Sequence, residues 1–407
     1  MPTSECFVYV QLPGVVETVT CGRFVQADGV GRFVYGRSYL SHPRAVELEK
    51  FELPLRTGTF ETARLGGIFG SLRDASPDAW GRRIIERALG STQLTEVDYL
   101  LHSPDDRAGA LSFGTQGTPP PAVHRFNQVV QLQELLRIAD RIERDLPVSA
   151  QLTELVQAGT SLGGARPKNV VEDRRGLWLA KFPSRSDRWN SAAVEGAMLV
   201  LAAECGLDAA RAQIEKVARR PVLLVRRFDR KRVAGGYLRS RMVSALTVLR
   251  ADDHPQDRAR WSYLLLADEL ARWATRPAED LRELFGRMAF NALIHNADDH
   301  PRNHALIADR EGWRLAPAYD LNPTPTHSRE RNLAMVVGAQ HRRATRQNLL
   351  SQCERFRLSR AQATRLIDRM KRIVTARWRE VVRGHGGTTK DLAAIESAFD
   401  HTGFEYE

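Results

Sequence analysis

The hydrophobic pattern of this chain changes period along its length, and that change limits the folds open to it more than any other feature. Residues 5 to 40 alternate apolar and polar positions with glycine punctuation, as in Cys6-Phe7-Val8-Tyr9-Val10 and Gly31-Arg32-Phe33-Val34-Tyr35-Gly36. That is the two-residue period of a small antiparallel sheet. After residue 260 the pattern turns helical. Leu264-Leu265-Leu266-Ala267 and the set Leu281, Leu284, Phe285, Met288 mark two amphipathic helices, and residues 346–400 add two or three more. Between these ends the types mix. Pro77-Asp78-Ala79-Trp80 opens a helix carrying Trp80, Ile84, Ile85 and Ala88, and 127–144 is helical. A helix, a glycine turn and a hairpin fill 153–185. A helix over 191–204 stops at Gly206, and Val222-Leu223-Leu224-Val225 reads as a strand. Gly114 to Pro121, ending in three prolines, can continue neither helix nor sheet interior and reads as a linker. The expectation is an α+β chain with boundaries at 1–115, 116–230 and 231–407: a small β-rich N-terminal subdomain, a mixed α/β lobe and an all-helical C-terminal lobe.

Composition removes several classes. With 407 residues, 43% of them hydrophobic, the chain has ample material for substantial cores. The longest apolar runs, such as 197–203, are too short to span a bilayer, and nothing near residue 1 reads as a signal peptide. A soluble, cytoplasmic protein without a membrane partner is expected. The four cysteines lack CxxC spacing, which argues against a zinc cluster or a disulfide framework. A net charge of +11 makes an acidic partner plausible. The dense late cluster Arg355, Arg357, Arg360, Arg365, Arg369, Lys371 and Arg372 fits either a solvated helix face or a nucleic-acid contact.

Chemistry concentrates in Asn296-Ala297-Asp298-Asp299-His300-Pro301-Arg302-Asn303 and, beyond it, Ala316-Pro317-Ala318-Tyr319-Asp320. In a protein-kinase catalytic loop an Asp takes the proton of the attacking hydroxyl and an Asn five positions later binds Mg²⁺, which is the spacing of Asp298 and Asn303. A second Mg²⁺-binding Asp should follow a nearby strand. Asp320 stands where the strand Trp313-Arg314-Leu315-Ala316 runs out. Upstream, Ser161-Leu162-Gly163-Gly164-Ala165-Arg166-Pro167-Lys168 is a glycine loop whose backbone N–H groups can approach phosphates, with Lys168 as a nearby cation. By itself it is a weak signal, lacking both Walker and GxGxxG spacing. The apolar strand Leu177-Trp178-Leu179-Ala180-Lys181-Phe182 carries one lysine, and Glu195 follows on a helix. A strand lysine held by a helix glutamate is the kinase arrangement at the nucleotide phosphates.

Each piece has a plainer reading: a tight turn, a lysine at a strand edge, acids capping a helix. Asp298, Asp299, His300 and His304 are also possible ligands of a metal hydrolase. His300 fits either a loop-orienting or a packing role. The order of the pieces favours a kinase, because glycine loop, lysine, glutamate, hinge, Asp-x₄-Asn and Asp occur in the kinase sequence. A bilobal protein-kinase-like core follows. An aminoglycoside-type phosphotransferase, which shares Asp-x₄-Asn and the later Asp, is the alternative, and a non-enzymatic pseudokinase is a further one.

Taken with Asp78-Ala79-Trp80-Gly81-Arg82 and Arg227-Phe228-Asp229-Arg230, these residues resemble the HipA family of serine/threonine kinases, the toxin component of bacterial toxin–antitoxin modules. The resemblance covers nearly the whole chain. It implies Asp298 as catalytic base, Asn303 and Asp320 as Mg²⁺ ligands, and Lys181 as the ATP-phosphate lysine. Gly163, Gly164, Lys168 and Glu195 complete the ATP site. The backbone around Arg226 and Phe228 resembles the hinge that receives adenine, with Asp229 structural. Ser161 resembles the family's loop serine, whose autophosphorylation switches the enzyme off; Thr160 is a neighbouring acceptor. Asp299 stands where the family often has a small residue, and the five-residue spacing favours Asp298 as the acting acid. The implied partners are a small helix-turn-helix antitoxin (HipB-like), operator DNA within that complex, and a protein substrate, in known cases often an aminoacyl-tRNA synthetase.

Overall fold

The computed structural model describes residues 4–120, 126–149, 151, 152, 155 and 166–405. The chain gathers into two compact units. One comprises Met1–Arg185, Arg226–Val243 and Ile307–Glu311; the other comprises Ser186–Val225, Ser244–Leu306 and Gly312–Glu407.

In the first unit the alternating N-terminal sequence forms an antiparallel sheet of β1 (Glu5–Gln11), β2 (Thr18–Ala27), β3 (Val30–Tyr35), β4 (Thr59–Thr62) and β5 (Leu111–Gly114), in the order β4-β3-β2-β1-β5. Alternation puts Cys6, Val8, Val10, Phe24, Phe33 and Tyr35 into one core with Phe69 and Leu72. Asp28 and Gly29, both at positive φ (51° and 74°), make the tight turn between β2 and β3, as a two-residue hairpin matched to strand twist requires. The helix Ala79–Leu89 starts where Asp78 accepts from Gly81 N and ends at left-handed Gly90. Its buried face carries Trp80, Ile84 and Ile85. The Trp80 ring nitrogen donates to Lys168 O (3.1 Å), tying the helix to a second group of strands. These are β6 (Asn127–Gln128), β7 (Lys168–Asp173) and β8 (Gly176–Lys181), with β6 parallel and β8 antiparallel to β7.

The second unit is built around helices. Ser191–Glu204 is capped by Asn190 and buried over most of its length, so its apolar residues run around the whole cylinder. The hairpin Ala212–Val217/Arg220–Arg226 follows. Ser262 caps Tyr263–Trp273, and Pro277 occupies the first turn of Pro277–Leu293. The longest helix, Arg360–Gly384, opens on a reciprocal Ser359–Gln362 capping box. Gly286 lets Pro277–Leu293 pack closely: a Cβ there would lie 2.7 Å from Leu207 Cδ2 and 3.2 Å from Met370 Cε. The expectation of an all-helical lobe over 231–407 holds for its long elements only: the short strands Gly236–Arg239, Arg241–Ser244, Ala305–Ala308 and Trp313–Leu315 also lie in that span. Among the described residues, no helix is long and apolar enough to cross a membrane.

Candidate active site

The Asn296–Asn303 loop leaves the C-terminus of the Pro277–Leu293 helix and is fastened before it reaches its acids. His295 takes a left-handed conformation (φ 49°). Its backbone and ring both bond to Thr324, with Thr324 N donating to His295 O (2.8 Å) and His295 Nδ1 lying 2.6 Å from Thr324 O. Ala297 N donates to Thr324 Oγ1 (3.1 Å), and Asn296 N to Asn291 O (2.8 Å). His300 Nδ1 accepts from Arg302 N (3.1 Å), opening a single 3₁₀ turn at Pro301–Asn303. His300 therefore shapes the loop. Its ring also lies 6.3 Å from that of Trp261.

Three of the sequence-predicted residues are brought together here. Asn303 Nδ2 donates to Asp298 O (2.9 Å), which commits the amide nitrogen to the loop and leaves Oδ1 as the atom able to bind a cation. Tyr319 OH donates to Arg302 O (2.7 Å), and Ala316 N to Ala305 O (2.9 Å), so the segment bearing Asp320 is stitched beside the one bearing Asn303. Asp320, five residues beyond the strand Trp313–Leu315, is left-handed (φ 57°) and accepts from Asn322 Nδ2 (3.2 Å). Asp298 has an exposed side chain, yet its carboxyl is raised above the ordinary aspartate range. The protein packed around it is the main cause; His300 opposes, while the charges of Asp320 and Asp299 add to the rise. The negative charges of Asp320 and Asp299 that help raise Asp298 make a cation favourable beside it. A carboxylate and an amide oxygen are the hard donors Mg²⁺ takes, so the set fits that ion.

The remaining predicted residues are distributed. Lys181 ends β8 in the first unit, opposite Lys168, and Glu195 is buried on the Ser191–Glu204 helix of the second. Lys168 is 3% exposed, with its ammonium 3.2 Å from Asp78. Arg226 donates to Arg175 O (3.0 Å), Phe228 is half-buried, and Arg227 N between them donates to Leu177 O (3.0 Å). Asp229 is buried and receives Arg227, Arg230 and the Gly109 amide. Thr160, Ser161, Gly163 and Gly164 lie outside the described residues.

Asp299 and His304, possible ligands on the hydrolase reading, turn inward instead. His304 Nε2 lies 2.7 Å from Asp299 Oδ1, and Tyr263 OH donates to Asp299 Oδ2. Asn291 Nδ2 in turn donates to Tyr263 OH (3.0 Å). Sequence reasoning missed Tyr263 and Asn291. The one available signal was Asn291 itself, an amide inside the apolar run Met288–Ile294.

The fold is α+β. Residues 15–114 match the family model of the HipA N-terminal domain, and residues 160–378, more than half of the chain, match that of the HipA-like C-terminal domain. The chain belongs to the HipA family. A provisionally named kinase of Sinorhizobium fredii (strain NBRC 101917 / NGR234), Y4mE, is 26% identical over 343 residues, 78% of each chain. Among solved structures, the Shewanella oneidensis MR-1 HipA of a toxin–antitoxin complex with HipB and its operator DNA aligns with a TM-score of 0.69. It is 16% identical and is matched over 97% of this chain and 95% of its own.

Proposed function

We propose that the chain is a Mg²⁺- and ATP-dependent serine/threonine protein kinase acting as the toxin of a HipA/HipB-type module. The observation that carries this reading is the convergence of Asp298, Asn303 and Asp320 on one loop-and-strand junction. Asp298 is the base: exposed, with a carboxyl raised toward the range useful for accepting a hydroxyl proton. Asn303 Oδ1 and the Asp320 carboxylate hold the metal. Lys181 is the phosphate lysine, and the backbone at Arg226–Phe228 receives the base of the nucleotide. When bound, Mg²⁺ neutralises charge on the phosphate oxygens. The chain's own contribution is orientation, through Asp298 on the acceptor hydroxyl and through Asn303, whose amide is fixed by Asp298 O.

The substrate is a protein, such as an aminoacyl-tRNA synthetase whose modification would block translation, and Ser161 is the autophosphorylated off switch. A helix-turn-helix antitoxin is the partner, and the Shewanella complex of HipA with HipB and operator DNA supports this setting. Arg365, Arg369, Arg372, Arg379 and Arg383 are exposed along the Arg360–Gly384 helix, forming a stripe about 27 Å long. A cationic stripe of that length supports operator DNA as a further contact.

The test is labelled ATP with Mg²⁺ and the full chain, beside Asp298→Ala and Ser161→Ala. Asp298→Ala should lose transfer by about 10³-fold or more, and Ser161→Ala should lose self-labelling while still binding ATP. Undiminished labelling in Asp298→Ala would refute the reading.

A further inference from the structure

We infer that Asp299 is the positioning residue of the proposed catalytic loop, acting through His304 and Tyr263. The inference rests on the kinase reading above for its consequence, but not for its geometry. Asp299 follows the proposed base and His304 follows the proposed metal ligand, so two bonds of the same five-residue span run side by side. Asn303 Nδ2 to Asp298 O closes the loop on its accessible side (2.9 Å), and His304 Nε2 to Asp299 Oδ1 closes it on its buried side (2.7 Å). Asp298 is exposed, whereas Asp299 is 1% and His304 2% exposed.

The buried bond is anchored in turn. Tyr263 OH donates to Asp299 Oδ2 and accepts from Asn291 Nδ2, and Asn291 Oδ1 accepts from Asn296 Nδ2 (3.2 Å), which returns to the start of the loop. The Tyr263 and His304 rings meet edge-on at 5.2 Å, and His304 O accepts from Ala245 N (2.8 Å). Asp299 thus joins both ends of the loop to two helices, Tyr263–Trp273 and Pro277–Leu293. With a donor on each of its two oxygens, the Asp299 carboxylate is held in one orientation. Here every donor reaches Asp299 from a residue that fixes the loop or follows a proposed site residue, so loosening Asp299 moves Asp298 and Asn303 together. A displacement of about 1 Å is enough to cost about 10²-fold in rate.

The experiment uses the full chain with Asp299→Asn, His304→Ala and His304→Gln, the last restoring a side-chain N–H at the position of Nε2. The first readout is amide hydrogen exchange without ligands, because the loop amides of Asp299, His300 and Asn303 are all bonded within the loop. Asp299→Asn and His304→Ala should speed exchange in a peptide covering 296–305 by about tenfold or more, with peptides of Arg360–Gly384 unchanged. The second readout is ATP- and Mg²⁺-dependent transfer. There kcat should fall roughly 10- to 100-fold, the Mg²⁺ concentration for half-activity should rise, and KM for ATP should change little. His304→Gln should recover most of both. Wild-type loop exchange in Asp299→Asn and His304→Ala overturns the proposal, as does a loss of kcat that merely follows the unfolded fraction. If Asp298→Ala transfers phosphate as the wild type does, the kinase reading falls, and the exchange result still decides the role of Asp299.

Discussion

Asp229 in the first unit and Asp299 in the second are both buried carboxylates, but their surroundings are opposite in kind. Asp229 receives Arg227 twice (3.0 and 2.8 Å), Arg230 once (2.7 Å) and the Gly109 amide (3.0 Å). Burial alone would raise its carboxyl; Arg227 and Arg230 overturn that and hold it well below the usual aspartate range. Asp299 is served by a ring nitrogen and a phenol. The first is a charge clamp that fastens the segment after Asp106 to Arg227 and Arg230, so its loss should show mainly as instability. The second sets the shape of a loop, so its loss should show mainly in function.

Asp229→Ala carries the largest expected effect. It leaves Arg227 and Arg230 buried without their shared anion, a change worth about 3–5 kcal/mol, read as a lowered midpoint for the first unit in calorimetry. Because the folded pKa of Asp229 is depressed, its contribution is present above the unfolded value of about 3.9 and is lost as pH falls through the folded one. The gap between wild type and variant should therefore close in acid. A loss below about 1 kcal/mol at neutral pH would erase the contrast with Asp299.

Glu49 sharpens the contrast from the other side. It is 1% exposed, and its carboxylate accepts from backbone amides, Phe51 N (2.9 Å) and Leu53 N (2.5 Å). Burial pushes its carboxyl up to about 7, and those bonds only partly offset the rise. The folded chain then keeps a proton that the unfolded chain releases near 4.5, so stability falls as pH rises between these values. Glu49→Gln removes that slope. Relative to wild type it should gain up to about 3 kcal/mol between pH 5 and pH 8, measured as denaturation midpoints at the two pH values. An unchanged difference would mean that Glu49 ionises freely in the folded chain.

Local periodicity and spacing were enough to read the N-terminal sheet, the Ala79–Leu89 helix and the Asp298–Asn303 pair, because each is settled within a few residues. What could not be read depends on partners far along the chain. Lys168 in a glycine loop suggests a phosphate cation, but its ammonium meets Asp78, 90 positions away, across the start of a helix. Asp299 and His304, five apart beside other acids, fit metal ligands until Tyr263, 36 positions upstream of Asp299, supplies the donor that turns them inward. The role of Asp299 was the least settled by sequence for the same reason: its neighbours in the chain are catalytic candidates, and its neighbours in space are not.

Tyr263→Phe should have the smallest effect on stability and is the closest test of the contrast. It preserves the ring packed on His304 and deletes one oxygen, leaving Asp299 Oδ2 without that donor and Asn291 Nδ2 without that acceptor. The cost should be about 1–2 kcal/mol, because relaxation lets other groups partly satisfy the two atoms. If the hydroxyl acts through Asp299, Tyr263→Phe combined with Asp299→Asn should lose little more transfer activity than Asp299→Asn alone, since residues in one network are not additive. Comparing kcat for the two single variants and the double gives the answer directly. Fully additive losses would mean that Tyr263 and Asp299 act separately, leaving His304 as the sole link between the buried carboxylate and the proposed metal ligand.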